Sequence, residues 1–437
     1  MKVIAALLLF VALAAAATHS ISMGRKTSPG VVFGESKEAF SAGTDFYLST
    51  KWGHLQTNNR KRANNIIMGG NINPLGIFYV NMSVGRPAQE VSVAVDSGSF
   101  TMLVPGPNCD GCPTAPAKYN PKLSTTVSQY QCSDACQFCS DSNICAWSNT
   151  YQTCNLSDTT QTCTVSGLVF VDYFELGSLK SQGTTRFGVI DTQTKNFQQL
   201  YVIDGILGFS LGTTFGQKAQ IYQLADEGQI SNKFGMCFDV DGQGGLLTLG
   251  EPDSKLYKGE LKNIPLIPNE AFVIELDDVK IGGVSIGLPE SSYQDVPAGG
   301  CIVDSGTNIL LFPDDVFNAV KQTFLNKCNK AKLHGVCDVD EGKTFFDTQC
   351  YSLTPRQLKS FPNIELDFGG IPMVLPPSSY LLPKVGDPSQ RCLGIQNTGE
   401  GGLLIIGDTT MQQYYTVFDL ENNFLSIAPL NKQNCKA

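Results

Sequence analysis

Histidine is scarce in this 437-residue chain, where it occurs at positions 19, 54 and 334. Hydrolases with a serine or cysteine nucleophile need an imidazole base beside it, and a catalytic zinc site usually takes two or three histidines. His334 lies within Cys328–Cys337, a segment typical of a small disulfide loop, and the other two histidines precede the globular part of the sequence. If the protein is a hydrolase, carboxylates are expected to perform the chemistry.

Positive charge is also low, since 31 Lys and Arg accompany 40 Asp and Glu and give a formal net charge of −9. This balance argues against nucleic acid or an anionic membrane as a partner. One apolar run, residues 3–17, follows Lys2 and ends in small residues, which predicts a secretory signal peptide over residues 1–17. Later apolar runs are too short to span a bilayer, so we expect no stable membrane anchor.

Residues 18–70 are basic and weakly patterned, and they include the run Arg60-Lys61-Arg62. One interpretation is a propeptide with a processing site at the basic run, in which a leader Lys or Arg covers the active site of a zymogen. The other interpretation is an ordinary solvated extension. The first predicts that full activity requires cleavage.

Cysteine, by contrast, is abundant: the chain has 15, and eight of them fall within residues 109–163. Behind a signal peptide most cysteines should form disulfides. Two Cys-X-X-Cys pairs, at 109–112 and 136–139, are also compatible with zinc, but no histidine lies nearby. We therefore expect a disulfide-stapled insert without metal. Because the total is odd, at least one cysteine must remain free or pair between molecules.

One six-residue sequence motif occurs twice. AVDSGS at 94–99 returns as IVDSGT at 302–307, and each copy is followed, about a hundred residues later, by an apolar-apolar-Gly motif that ends at Gly208 or Gly407. A single Asp-Ser-Gly is usually a turn, but this longer repeat indicates a duplicated domain. Short alternating strands dominate from residue 77, which predicts an all-β protein. We expect an N-terminal lobe over 71–250, carrying the insert, and a C-terminal lobe over 251–437.

The two repeated aspartates suggest a reaction. Asp96 and Asp304, one from each half, can meet at a central cleft, where carboxylates about 3 Å apart share one proton. The ionised carboxylate can then activate water while the protonated one donates to a carbonyl oxygen. Ser99 and Thr307 are expected to orient the aspartates by hydrogen bonds.

The glycines of the same motif are expected to have a packing role. Gly98 and Gly306 carry no side chain, so they allow the two backbones to pack closely at the lobe junction.

Longer motifs resemble those of the pepsin-like aspartic endopeptidases. They are the strand 79–96 with Gly-Arg-Pro-Ala-Gln at 85–89, Gly-Ile-Leu-Gly at 205–208, Ile-Gly-Asp at 406–408 and Gln-Tyr-Tyr-Thr-Val-Phe-Asp at 413–419. The resemblance covers about residues 75–435. It implies two pseudo-symmetric, β-barrel-like lobes with the active-site cleft between them, and Asp96 and Asp304 as the catalytic pair. It also implies a monomeric enzyme without cofactor that acts on proteins or peptides.

The same resemblance implies a disulfide pattern in the second half of the chain. Cys350 with Cys392 matches the bridge of the C-terminal lobe, and Cys237 with Cys435 matches one in the memapsin branch. Together with the loop bridge Cys328–Cys337, these pairs leave Cys301 as the expected free thiol. The cysteine cluster loosely resembles the nepenthesin-type insertion, but its pairing stays open.

Some residues depart from the family pattern. Ser97 and Ser305 replace the more usual threonine but keep the hydroxyl, Phe100 stands where serine is common, and Leu103 where a tryptophan often bonds the flap tyrosine. The flap is the least regular region: Tyr173 requires one inserted residue, whereas strict spacing selects Phe174. Strand alternation favours Tyr173 as the flap residue, and a sheet-packing aromatic is its alternative.

The sequence thus predicts an acid aspartic endopeptidase, secreted or lysosomal, that cleaves near bulky hydrophobic residues at about pH 3.5–6. Asn155 and Asn81 lie in glycosylation sequons. Two other interpretations remain: a catalytically inactive homologue that binds or inhibits through the same cleft, and a cysteine-rich structural protein.

Overall fold

The computed structural model describes residues 63–72, 76–112, 117–151, 163–194, 205–239, 244–339, 342–384 and 387–436. The signal peptide predicted over 1–17, the leader up to residue 62 and the sequon at Asn155 lie outside these residues. The described chain is built mainly of β-strands, so the predicted all-β class is confirmed.

Sixteen described strands precede residue 250. They are β1 (Asn64–Asn71), β2 (Ile77–Val84), β3 (Gln89–Asp96), β4 (Met102–Asp110), β5 (Ser128–Gln129), β6 (Phe138–Cys139), β7 (Cys145–Tyr151), β8 (Cys163–Asp172), β9 (Phe174–Leu176), β10 (Leu179–Lys180), β11 (Thr185–Gln193), β12 (Gly205–Gly208), β13 (Thr213–Thr214), β14 (Gln217–Lys218), β15 (Lys233–Phe238) and β16 (Gly245–Leu249).

Fifteen further strands follow in the described residues of the second half. They are β17 (Lys262–Ile267), β18 (Val273–Ile274), β19 (Asp278–Ile281), β20 (Val284–Ser285), β21 (Cys301–Val303), β22 (Leu310–Phe312), β23 (Cys350–Ser352), β24 (Ile364–Phe368), β25 (Ile371–Leu375), β26 (Leu381–Lys384), β27 (Asp387–Leu393), β28 (Ile395–Asn397), β29 (Leu404–Ile406), β30 (Tyr414–Asp419) and β31 (Phe424–Pro429).

The described helices are short and lie between strands. They are α1 (Gln220–Asp226), α2 (Ser291–Gln294), α3 (Asp314–Asn326), α4 (Pro355–Leu358), α5 (Pro377–Tyr380) and α6 (Asp408–Met411). In α3, the longest of them, one face is buried through Val316, Val320 and Phe324, as a 3.6-residue period requires. None of the described helices has the length and apolar character needed to span a bilayer.

The two halves repeat one arrangement of strands. In the first half β3 pairs with β2 and, in parallel, with β12, so that Gly208 lies opposite Asp96. In the second half β21 pairs with β18 and, in parallel, with β29. The later motif of each repeat therefore lies beside the Asp-Ser-Gly motif of the same half. Valines at alternate positions of β3 are buried, as expected for a strand inside a packed lobe.

A six-stranded antiparallel sheet joins the halves in the order β1-β16-β15-β30-β31-β17. At its centre Phe234 of β15 stacks on Phe418 of β30 with ring centroids 4.5 Å apart. Beside them Lys233 lies 3.3 Å from Asp419. The sheet thus takes strands from both halves of the chain, so neither half can complete it alone.

Strand β1 begins inside the predicted leader 18–70 and ends one residue beyond it. Its residues Asn64–Met68 pair with β16, and Gly69–Asn71 pair with β2. These hydrogen bonds make the segment part of the sheet that joins the halves. The position of the mature N-terminus and the lobe boundaries stay predictions.

Described disulfides staple both halves. The three predicted pairs are formed, Cys350–Cys392, Cys237–Cys435 and Cys328–Cys337. Within the insert the bonds are Cys109–Cys112, Cys132–Cys139 and Cys136–Cys145. Cys301 is a buried free thiol.

Candidate active site

Asp96 and Asp304 both lie at the end of a buried strand. Asp96 is the last residue of β3 and is fully buried, and Asp304 follows β21 and is 1% exposed. The Asp304 amide donates to the Ile406 carbonyl of β29 at 2.9 Å. The parallel strand on one side and the turn on the other fix each aspartate in its half.

Glycines make this close packing possible. A side chain on Gly208 would meet Ser99 O at 2.5 Å, and one on Gly407 would meet Thr307 O at 2.3 Å. Real Cβ atoms do not approach backbone that closely, so the glycine that ends each repeated motif lets β12 or β29 lie against the aspartate turn.

Each aspartate is held by its own turn. Asp96 Oδ1 accepts hydrogen bonds from the amides of Gly98 (2.8 Å) and Ser99 (3.0 Å), and Oδ2 accepts one from the Ser99 hydroxyl. Asp304 Oδ1 accepts from the Gly306 amide at 2.7 Å, and Oδ2 from the Thr307 hydroxyl at 2.6 Å. These contacts fix both carboxyl planes, which fits the orienting role proposed for Ser99 and Thr307.

The two carboxyls belong to one site. A Cβ built on Gly98 would lie 2.5 Å from Asp304 Cγ, so the loop of the first aspartate touches the second carboxyl. Gly98 is therefore required as a glycine at this junction, because any side chain would collide with Asp304.

Ser97 and Ser305 connect the two loops directly. The Ser97 amide donates to Ser305 Oγ at 3.0 Å, and the Ser305 amide donates to Ser97 Oγ at 2.8 Å. Each hydroxyl in turn donates to a carbonyl of the opposite half, Val303 O at 3.0 Å and Val95 O at 2.9 Å. The serines that replace threonine thus connect the two halves, a role that could not be predicted from local sequence because it depends on contact between distant segments.

Burial changes the protonation of this pair. It raises the pKa of Asp96 well above its usual value, and the negative charge of Asp304 raises it further. Burial likewise raises the pKa of Asp304, against the lowering effect of its hydrogen bonds from Thr307 and Gly306. A pair that resists double ionisation in this way retains one proton above the ordinary carboxyl range.

Asp408 is a third carboxyl of the site, which sequence reasoning did not identify. It is fully buried, its amide donates to Thr307 O at 2.8 Å, and among the described residues neither carboxyl oxygen has a hydrogen-bond partner. Burial, followed by the charges of Asp304 and Asp96, raises its pKa well above the usual value. The available signal was its position: it follows the second apolar-apolar-Gly motif, where the first half has Phe209.

The choice of Tyr173 as the flap residue needs correction. The Tyr173 carbonyl accepts from Gly85 N at 2.8 Å, and the Arg86 guanidinium lies 3.6 Å from the centre of its ring. This turn precedes Gln89, at the opposite end of β3 from Asp96, so about 23 Å of strand separates it from the site. Tyr173 therefore packs on the lobe and does not cover the dyad.

The alternative flap residue, Phe174, is no closer to the site. It is buried in the core of the lobe and lies opposite Val84.

Two further positions that differ from the family pattern, Phe100 and Leu103, are accommodated by neighbouring residues. Phe100 is fully buried, and its ring occupies the space that a side chain on Gly212 would need. Leu103 and the indole of Trp147 both pack on Gly188. Trp147 Nε1 is buried and has no hydrogen-bond partner among the described residues. An indole thus lies beside Leu103, but it comes from β7.

Other predicted sites are separate from this one. Asn81 is exposed on β2, and its Oδ1 accepts from the Ser92 hydroxyl at 2.7 Å, so its glycosylation stays a prediction. His334 is part-exposed and lies 3.0 Å from Asp338. In the described part of the chain, no group of three or more His, Cys, Asp or Glu is arranged to hold a metal ion.

The sequence of this chain is similar to those of known proteins. The eukaryotic aspartyl protease family matches residues 77–430. Aspartic proteinase 36 of Arabidopsis thaliana is 28% identical over 382 residues, which cover 82% of this chain and 74% of that protein. Pepsin A of Bos taurus is 26% identical over 362 residues, which cover 81% of this chain and 84% of that protein. Rhizopuspepsin-1 of Rhizopus niveus is 28% identical over 360 residues, which cover 81% of this chain and 79% of that protein. The chain belongs to the eukaryotic aspartyl protease family, as its pepsin-like motifs predict.

Proposed function

We propose that this protein is an acid endopeptidase in which Asp96 and Asp304 together activate one water molecule. The observation that carries the proposal is the contact of Gly98 with the Asp304 carboxyl, which brings two buried carboxyls from separate halves into one site. The reciprocal bonds between Ser97 and Ser305 keep them there.

The chemistry follows from one shared proton. The ionised carboxylate takes a proton from water as the water oxygen bonds to the peptide carbonyl carbon. The protonated carboxyl gives its proton to the carbonyl oxygen, so a neutral diol forms and the pair again holds one proton. When a diol proton returns to the carboxylate and the other carboxyl protonates the amide nitrogen, the C–N bond breaks into acid and amine.

The raised pKa values of the two aspartates support an acid pH range for the reaction. Because burial and mutual charge favour the protonated forms, the singly protonated pair persists above the ordinary carboxyl range and is lost as pH rises further. Loss of the proton donor removes the acid of the reaction. We therefore propose an optimum near pH 3.5–6, consistent with secretion or an acidic organelle such as the lysosome or vacuole.

The substrate is proposed to be an unfolded protein or peptide, cleaved near bulky hydrophobic residues by a monomeric enzyme without cofactor. With Tyr173 remote from the site, we infer that the hairpin β7–β8 covers the cleft. Its residues Trp147 and Asn149 line a pocket together with Thr101, which lies on the loop that follows Asp96. The tip of this hairpin lies outside the described residues. A leader that blocks the site until cleavage remains part of the proposal.

The test is a cleavage assay on the acid-treated, secreted protein. A diverse peptide mixture is incubated from pH 3 to 8, with and without pepstatin, and with the Asp304→Asn variant. We expect cleavage limited to acid pH and abolished by both treatments. Asp141→Asn, the same chemical change at an exposed position of the insert, serves as the matched control and should cleave like the wild type.

Two results would contradict the proposal. A rate that rises steadily to pH 8 would exclude the shared-proton pair. No cleavage at any pH by processed, folded protein would favour the inactive, binding homologue instead.

A further inference from the structure

A pocket lies beside the loop that follows Asp96, and Thr101 forms part of its wall. The Thr101 carbonyl accepts a hydrogen bond from Gly208 N at 3.1 Å, and Gly208 lies opposite Asp96. Five residue steps of at most about 3.5 Å separate Asp96 from Thr101. An extended substrate whose scissile bond lies at Asp96 and Asp304 can therefore place a side chain in this pocket, a few residues away from that bond.

The rest of the wall comes from two parts of the chain. The cysteine-rich insert 109–163 contributes Ala135 and Gln137 from its disulfide loop and Trp147 and Asn149 from β7, and the β13–β14 hairpin contributes Thr214 and Phe215. The insert therefore supplies four of the seven lining residues.

The insert part of the wall is rigid. The bond Cys136–Cys145 ties it to the first residue of β7, and Cys132–Cys139 closes a loop around Ala135 and Gln137. Gln137 Oε1 also accepts from the Ser148 amide at 2.7 Å. A wall fixed in this way can discriminate between side chains, because it cannot move aside at low cost.

Arg186 links the insert to the hairpin. Its guanidinium lies 4.3 Å from the centre of the Tyr130 ring, and Nη1 donates to Phe215 O at 2.6 Å. Phe215 itself has φ of +53°, in a two-residue turn where glycine or asparagine is usual. A bulky residue kept in that conformation by surrounding contacts is typical of functional sites.

The lining favours one class of side chain. It combines apolar groups with amides and hydroxyls, and none of its described residues is charged. A charged side chain buried here would lose its hydration and would find no charged partner among the described lining residues. The cavity has a volume of about 30 Å³, so it suits a small group.

We propose that this pocket is a substrate subsite completed by the insert, which accepts a small, uncharged side chain such as Ala, Ser, Thr or Val a few residues from the cleaved bond. This inference rests on the proposed endopeptidase function. Ala135 is its key position, because a longer side chain there would extend into the pocket from the insert.

The test is a position-scanning peptide library cleaved at acid pH by the wild type, Ala135→Leu and Ala135→Gly. We expect the wild type to disfavour Lys and Glu at least tenfold in kcat/KM at one position away from the cleaved bond. At that position alone, Ala135→Leu should fill the pocket and lower cleavage of Thr and Val peptides about tenfold, and Ala135→Gly should enlarge it and raise cleavage of Leu peptides severalfold. Asp141→Lys, an exposed change in the insert, should leave the profile unchanged.

A gain of activity at one position in Ala135→Gly cannot result from misfolding, and the opposite changes of pocket volume give two independent readings. If both Ala135 variants cleave with the wild-type preference at every position, the subsite is wrong and the proposed function stands. If the processed wild type cleaves nothing, both are wrong.

Discussion

Ser97 and Ser305 exchange two hydrogen bonds between amide and hydroxyl across the junction of the two halves, and each hydroxyl also donates to a carbonyl of the opposite half. All of these groups are buried. The two aspartate loops therefore cannot separate without leaving several unpaired polar groups in the interior, which costs far more than the bonds contribute when made.

Replacing Ser97 or Ser305 by alanine should weaken the whole fold. Each change removes the donor to a buried carbonyl and the acceptor of a buried amide, at about 1–3 kcal/mol for each unpaired group. We expect the free energy of unfolding in denaturant to fall by roughly 2–4 kcal/mol. Ser97→Thr and Ser305→Thr keep the hydroxyl and should remain near wild type. An unchanged unfolding midpoint in either alanine variant would show that the bonds contribute little.

Gly98→Ala should abolish activity without unfolding the protein. The added Cβ would lie 2.5 Å from Asp304 Cγ, so the second carboxyl must move away from the first. We expect kcat/KM to fall at least 100-fold, or roughly 2.7 kcal/mol. In the control Gly183→Ala the new Cβ meets its nearest neighbour at 3.4 Å, an ordinary contact, and activity should persist. Near-normal kcat/KM in Gly98→Ala would mean that the carboxyls need not approach as closely as here.

Asp408 should make the protein less stable as pH rises. Because burial raises its pKa above the unfolded value, its contribution is present in acid and is lost as pH rises through the folded pKa. The Asn side chain of Asp408→Asn does not titrate, so the variant is free of this pH dependence. Its free energy of unfolding relative to the wild type should therefore increase from pH 4 to 7, by up to about 1.4 kcal/mol per pH unit. Denaturant titrations at both pH values measure this. A difference independent of pH would indicate that Asp408 does not change its protonation in that interval.

Asp347 should make the protein more stable as pH rises out of strong acid. The hydrogen bond from Lys321, at 2.8 Å, and the one from the Thr344 amide lower the pKa of Asp347 to about 2. Its stabilisation is present above the unfolded value near 3.8 and is lost as pH falls towards 2. The difference in Tm between wild type and Asp347→Asn should therefore be largest above pH 4 and shrink in stronger acid. A constant difference down to pH 2 would refute the pairing.

Much of the dyad was predictable because its signals are local. Asp96 and Asp304 each end a run of buried apolar residues and precede a tight turn. Gly208 and Gly407 mark the strands that lie beside them. Because the same motif occurs in both halves, the assignment of an aspartate in one half is supported by the matching residue in the other.

The less predictable features depend on contacts between distant segments. Tyr173 matched a local pattern, yet its place is set by Asp172, whose carboxylate accepts hydrogen bonds from Tyr119 at 2.8 Å and Ser124 at 2.6 Å. Those partners lie about 50 residues earlier, beyond the reach of strand alternation. Asp408 escaped notice for a related reason: its proximity to the dyad arises only when β29 lies beside β21.

The sheet that joins the halves also orders events during synthesis. Its strand β1 precedes Asp96 in the chain, whereas β30 and β31 follow Asp304 by more than a hundred residues. A nascent chain that has exposed the first aspartate loop still lacks the partner serine, the second carboxyl and the closing strands. The site formed by both aspartate loops can therefore be assembled only after the second half of the chain has been synthesised and has folded.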